Sequence, residues 1–185
     1  MVCKPRIWNP IAPLLSKIFI KFGYYRKVLN RMSEQLNRPD WDTYFMEITH
    51  VVAKRSTCMR RQVGAILVKD KHILTTGYNG APKGLVHCGE IGCLRQELGV
   101  PSGERHELCR ALHAEQNAII QAANLGIAIE GSTLYCTTAP CSLCAKMLIN
   151  AGVVRVVFDG AYPDERAMEF FREAGMVVEQ MTLKQ

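Results

Sequence analysis

Two short segments, His113-Ala114-Glu115 and Pro140-Cys141-Ser142-Leu143-Cys144, constrain this chain more than any other feature. One imidazole and two thiols are ligands that zinc prefers, and three ligands leave a corner of the tetrahedron open for water. Cys141 and Cys144 are three apart, so a helix beginning there presents both on one face. The positive end of such a helix also favours thiolate over thiol. His113 opens a second helical pattern, so the fold has to bring two helix starts together over one metal. Glu115 lies two residues beyond His113 and off its helical face, which suits a carboxylate that approaches a metal-held water without ligating. A purely structural zinc would need a fourth ligand, and these segments supply three.

The surrounding pattern predicts the scaffold. Trp41, Tyr44, Phe45, Ile48, Val51 and Val52 recur at helical spacing after a helix start at Pro39-Asp40. Residues 63–68 and 72–76 read as a β-hairpin across a short polar turn. Residues 77–112 are rich in Gly, Pro, Cys and His without a clean period; so long an irregular stretch is usually functional or metal-stapled. Order returns with a helix over 114–125 ending near Gly126, a strand over 132–138 and a helix over 141–151. A buried strand over 153–158, a helix over 163–174 and a strand over 176–181 complete the series. Strands alternating with helices predict an α/β fold in three layers, α/β/α, and the opening hairpin makes the central sheet mixed.

Net charge is +6, but residues 1–31 hold seven Lys or Arg and no Asp or Glu, leaving 16 basic against 17 acidic residues in the rest. The body therefore lacks the clustered cations that a long nucleic acid requires. The basic residues 1–31 are read as an N-terminal extension, a translated leader or disordered tail, with Met32 as the natural start and residues 32–185 as one domain. A membrane-surface helix is the other reading of that extension, although Lys17 and Lys21 interrupt its apolar run and no segment is long and apolar enough to span a bilayer. Eight cysteines, several near histidines and two in Cys-x-x-Cys, fit metal ligation in a reducing cytoplasm better than disulfides.

The His-x-Glu and Pro-Cys-x-x-Cys pairing is a known signature of zinc deaminases, so that assignment is a pattern match. Together with Val63-Gly64-Ala65, the run from Gly77 to Pro82, the run from His113 to Ile119, Pro140 to Lys146 and Ile149 to Gly152, it resembles the deoxycytidylate deaminase family of the cytidine deaminase-like superfamily. The resemblance runs from about Trp41 to Val178. It implies a cytidine deaminase-like fold and hydrolysis of dCMP to dUMP and ammonia, feeding thymidylate synthesis. It also implies a homo-oligomer, hexameric in many members, activated by dCTP and inhibited by dTTP with Mg2+. By the same resemblance Glu115 is the proton shuttle, and His113, Cys141 and Cys144 hold the catalytic zinc. Asn79 contacts the sugar or base edge, and Gly77, Tyr78 and Gly80 belong to a nucleotide or effector loop. The plainer reading of Asn79 is an Asn-Gly turn. Rival readings are a tRNA adenosine or cytidine deaminase, or an inactive zinc-stabilised binding module.

Cys58, Cys88, Cys93, His106 and Cys109 are five more metal-capable residues, with His87 a weaker sixth. Some relatives carry a structural zinc with ligands matching Cys58 and Cys88. To these two the helical spacing of His106 and Cys109 adds the favoured remainder, with Cys93 at loop spacing as substitute, against five reduced thiols and imidazoles without metal. Arg60, Arg61, Arg105 and Arg110 serve nucleotide phosphate or lie on solvated surface. Tyr162 stacks near a base or packs, Cys136 belongs to the core, and His50 and His72 are structural or exposed.

Overall fold

Asp40 starts the fold by capping helix α1, Trp41–Ala53: its Oδ1 accepts from the Thr43 amide at 2.9 Å. The computed structural model describes residues 38–160 and 164–183. The chain divides into units of residues 1–39 and 40–185, and the second carries the elements below. The extension over 1–31, the start at Met32, Tyr162 and the Pro163 end of a predicted helix lie outside the described residues.

Strands β1, Gly64–Lys69, and β2, His72–Tyr78, form the predicted antiparallel hairpin, with Lys69 opposite His72. Asp70 and Lys71 both take positive φ, 51° and 63°, the conformation a two-residue turn needs to match strand twist. Short helices α2, Cys88–Ile91, and α3, Leu94–Glu97, and a 3-10 turn at His106–Leu108 interrupt the irregular stretch. Helix α4, Ala114–Leu125, strand β3, Thr133–Cys136, helix α5, Ser142–Asn150, and strand β4, Arg155–Phe158, follow. Helix α6, Glu165–Glu173, and strand β5, Val177–Gln180, complete the order.

The sheet runs β2-β1-β3-β4-β5; β1 is antiparallel to both neighbours, while β3, β4 and β5 are parallel. Alternate residues build a core on each face. Ala65, Leu67, Leu134, Cys136 and Val156 meet Ala118, Leu148 and Phe171 from α4, α5 and α6. Ile66, Val68, Tyr135 and Val157 meet Phe45 and Met46 from α1. The architecture is the expected three-layer α/β/α with a mixed sheet, and Cys136 is core as anticipated.

Helix α1 sits differently from its apolar stripe. It buries Phe45, Met46, Thr49 and Ala53, while Trp41, Tyr44 and Val51 stay exposed. Close approach decides this: a Cβ on Gly64 would lie 2.4 Å from the Thr49 carbonyl oxygen and 2.6 Å from the Ala53 nitrogen. The small-residue side of α1 therefore presses on the strand, and the displaced Trp41 ring stacks on Phe45 and receives the Lys71 ammonium.

Gly77 plays the same part on the opposite face. Its Cβ would stand 2.1 Å from the Ala114 carbonyl oxygen and 2.5 Å from the Ala118 nitrogen. Backbone cannot swing aside as a side chain does, so Gly77→Ala has to push α4 off the sheet. A loss of about 3 kcal/mol is expected, at the upper end for overpacking, together with weaker metal binding at the helix start. Urea melts and zinc titration measure both, and wild-type values in the variant would contradict this seating of α4.

Candidate active site

Helices α4 and α5 begin at the site. His113 is the N-cap residue of α4 and Cys141 that of α5, both in extended conformation. Gln116 steadies the first of these, its Oε1 accepting from the His113 amide at 2.9 Å. Asp164, the N-cap of α6, steadies the second: its Oδ2 accepts from the Ser142 amide at 2.9 Å while Oδ1 takes the Ala167 amide at 3.2 Å. Two positive helix ends thus face one point, as the spacing predicts.

His113 Nδ1 lies 3.5 Å from Cys141 Sγ and 3.4 Å from Cys144 Sγ. Zinc bonds of roughly 2.3 Å to sulfur and 2.0–2.1 Å to nitrogen make the sulfur–nitrogen edge of a regular tetrahedron about 3.5 Å. The three ligand atoms are therefore spaced for that ion. They form the only such group of three among the described residues, all within 4.8 Å of one another. The electrostatics agree. Cys141 is held at about 3 because the Cys144 thiol and His113 donate to its sulfur. Cys144 is pushed up in turn, by that same contact and by burial. The imidazole of His113 gains basicity from Cys141. An anionic sulfur among converging donors is a site prepared for a cation.

Glu115 is 3% exposed and sits on the first turn of α4, where burial raises its carboxyl above the usual range and the charge of His113 opposes the shift. A buried carboxyl that holds a proton more readily than in water is suited to passing one on. The Glu115 amide and the Cys144 thiol donate to this carboxylate, with less effect than burial, and it lines one cavity with His113 and Cys141.

Asn79 lines the same cavity. Its Oδ1 accepts from Ser56 Oγ at 2.6 Å and the Val63 amide at 2.8 Å, while Nδ2 donates to the Arg61 carbonyl at 2.9 Å. One amide hydrogen is left for the cavity, so structural and ligand roles coexist in this side chain. The expected loop around it differs. Gly77 and Tyr78 belong to β2, with Gly77 beneath α4 and the Tyr78 carbonyl taken by Asn117. Gly80 pairs with Leu112 through two backbone bonds of 3.2 and 3.0 Å, which close residues 81–111 into a lobe joined at its base. None of the three glycine-loop residues lines the cavity.

The residues expected for a second metal lie on the same cavity. Cys88 is buried, and burial first, then Cys93, Cys109 and Cys58, push its thiol up; all four line one cavity together with His106. The His106 ring packs edge-on against His113, with centroids 4.7 Å apart. Sequence spacing carries no sign of that contact, since the 3-10 geometry at His106–Leu108 does not keep a helical face. Among the described residues these five do not close into a group of three ligand atoms within 4.8 Å, so the structure selects neither His106 nor Cys93 as the fourth ligand.

Of the remaining residues, Arg60 and Arg61 line the cavity, whereas Arg105 pairs with Glu107 on the surface. His50 bonds Asp159 at 2.8 Å, and His72 is exposed. Arg95 and Asp164, both on the cavity wall, were not singled out from sequence. An Asp before Glu165-Arg166 carries a helix-cap signal, but nothing local discloses its reach to Ser142.

The profile of the cytidine and deoxycytidylate deaminase zinc-binding region matches residues 39–159. Deoxycytidylate deaminase of Schizosaccharomyces pombe is 38% identical over 144 residues, which cover 77% of this chain and 44% of that protein. ComE operon protein 2 of Bacillus subtilis is 40% identical over 80% of this chain and 75% of its own length. The crystal structure of dCMP deaminase from the cyanophage S-TIM5, in complex with dCMP and dUMP, matches with a TM-score of 0.66 and 34% identity, covering 78% of this chain and 98% of that one. The chain spans only about half the length of its two yeast relatives, 44% and 50%. With two helix starts spaced for zinc, a buried glutamate beside them and a profile match over most of the folded unit, the chain belongs to the cytidine and deoxycytidylate deaminase family.

Proposed function

We propose that this chain is a zinc-dependent hydrolase that converts dCMP to dUMP and ammonia. The observation that carries the reading is a buried Glu115 in the cavity that also holds His113 and Cys141. Likeness to deoxycytidylate deaminases, one of them solved with dCMP and dUMP, supports the choice of substrate.

Zinc held by His113, Cys141 and Cys144 would supply the Lewis acidity that makes a water nucleophilic at neutral pH. The residues do the rest. Glu115 accepts the proton of that water as a C4–O bond forms, and delivers it to ring N3. It then carries the second hydroxyl proton to the amine as the C4–N4 bond breaks. Water is consumed, ammonia leaves, and no electron changes hands. Asn79 offers its free amide hydrogen to the sugar or base edge, and Arg60 lies at the cavity for the nucleotide's charge.

The same reading extends to supply of dUMP for thymidylate synthesis in the cytoplasm, a homohexamer, and activation by dCTP with inhibition by dTTP and Mg2+. A structural zinc on Cys58, Cys88, His106 and Cys109, with Cys93 as substitute, would hold the lobe, where burial and the nearby sulfurs otherwise push the Cys88 thiol up. Ammonia release from dCMP, cytidine and a tRNA anticodon stem-loop, with and without dCTP and dTTP, tests the assignment. Turnover of dCMP above the other two is expected; preference for either rival, or none, overturns it. Metal analysis of the same samples should give two zinc ions per chain and one in Cys88→Ser, whose deaminase chemistry survives. Unchanged stoichiometry in that variant removes the second site.

A further inference from the structure

The Cys141-x-x-Cys144 pair creates a capping problem for the helix that carries it. A helix leaves its first four amides unpaired, and side-chain oxygens at the N-cap and at the third helical residue ordinarily meet them. In α5 Cys141 is the N-cap residue and Cys144 the third, so both places hold metal ligands. Helix α4 shows the contrast. Its N-cap is the ligand His113, but its third residue is Gln116, whose Oε1 accepts from the His113 amide at 2.9 Å. In α5 the same place carries a sulfur.

The oxygen comes from another helix. Asp164 stands 22 residues beyond Ser142, and its Oδ2 accepts from the Ser142 amide at 2.9 Å. Oδ1 accepts from the Ala167 amide at 3.2 Å and caps α6. One carboxylate therefore closes two helix starts, one oxygen to each. Ala145 and Leu148 of α5 share a core cluster with Ala167 and Phe171 of α6. That packing holds the helices together, but apolar contact is non-directional. The bond to Ser142 sets the first turn of α5, and so where Cys141 and Cys144 hold their sulfurs. Asp164 lines the cavity of Glu115 yet stands outside the group of three ligand atoms, so it acts through Ser142.

Resting on the zinc reading above, we propose that Asp164 is a positioning residue for the metal. It supplies from α6 the cap that the two-cysteine motif denies α5, and thereby sets the zinc affinity of His113, Cys141 and Cys144. The competing role is a cap for α6 alone.

The test uses the full chain, with zinc competed by a chromophoric chelator; the ion lost in Cys144→Ser identifies the site. Asp164→Ser keeps a good N-cap for α6, but its hydroxyl is one atom shorter and offers a single oxygen. The zinc dissociation constant should rise on the order of 10- to 100-fold, the range for a group that orients a metal ligand. A cap for α6 alone predicts no change in this variant, and that result overturns the proposal. Ser142→Pro approaches the same bond from the other side. Proline is favoured at the first helical position, and Cys141, at φ −76° and ψ 168°, already lies in the extended region that a following proline demands. The substitution deletes the donated N–H and leaves Asp164 in place on α6. It should weaken zinc by a similar factor, and the double variant should be no weaker than either single one. Losses that multiply would mean independent effects and overturn the bridge. Ser142→Pro carries the test should Asp164→Ser not fold, unchanged affinity then counting against the proposal. A wild-type chain that holds zinc through Asp164 yet deaminates nothing would instead overturn the deaminase reading and leave the bridge standing.

Discussion

Glu115→Gln should retain its zinc and lose turnover by about 1,000-fold or more, within the span attributed to a positioned proton-transfer group. The amide matches the carboxyl in shape, so the packing of a side chain only 3% exposed is preserved. What vanishes is the capacity to accept a proton and return it. Glu115 lies outside the group of three side chains spaced for the metal, so metal content should not follow the rate. Steady-state assays beside metal analysis separate these outcomes. A glutamine variant with near-native turnover would remove Glu115 from the chemistry, and one that lost its zinc would make Glu115 a ligand.

Cys144→Ser should remove one zinc per chain and, with it, both activity and stability. Cys144 is fully buried, and its sulfur forms one edge of the metal tetrahedron with His113. A serine hydroxyl does not ionise at neutral pH, so the site would keep only His113 and Cys141. The buried hydroxyl would also need a hydrogen-bond partner where a thiol needs little. Zinc present at 1,000 times its dissociation constant contributes ~4 kcal/mol to the native state. For a chain of this size that is roughly 10 °C in Tm. Wild type and variant should therefore differ by at least this amount in zinc, and a chelator should narrow the gap to the cost of the buried hydroxyl alone. Full stoichiometry in the variant would place the ion elsewhere.

Much of this site was legible before any coordinates because its geometry is written in helix starts. Cys141 and Cys144 share a face by spacing alone, and His113 opens a helix whose end at Gly126 takes the expected left-handed φ of 67°. The hairpin was equally plain, since a polar turn separated two β-prone runs. Legibility failed where direction, not element, mattered. The stripe on α1 suggested Trp41 and Tyr44 inward, but backbone contact at Gly64 outweighed apolar character. His106 could not be assigned a neighbour from an irregular stretch, and its ring packs against His113. Arg95 was invisible for a simpler reason: in a sequence, a buried guanidinium looks like any surface one.

The pairing of Gly80 with Leu112 has a consequence for how such proteins diversify. Both ends of the intervening 81–111 stretch emerge side by side, so a replacement of different length adds little closure entropy. His113 and Cys141 stand on helices seated against the sheet outside that stretch, whereas Arg95 and His106 lie within it. Grafting this stretch from one relative into another should therefore leave the mutual spacing of His113, Cys141 and Cys144 unaltered.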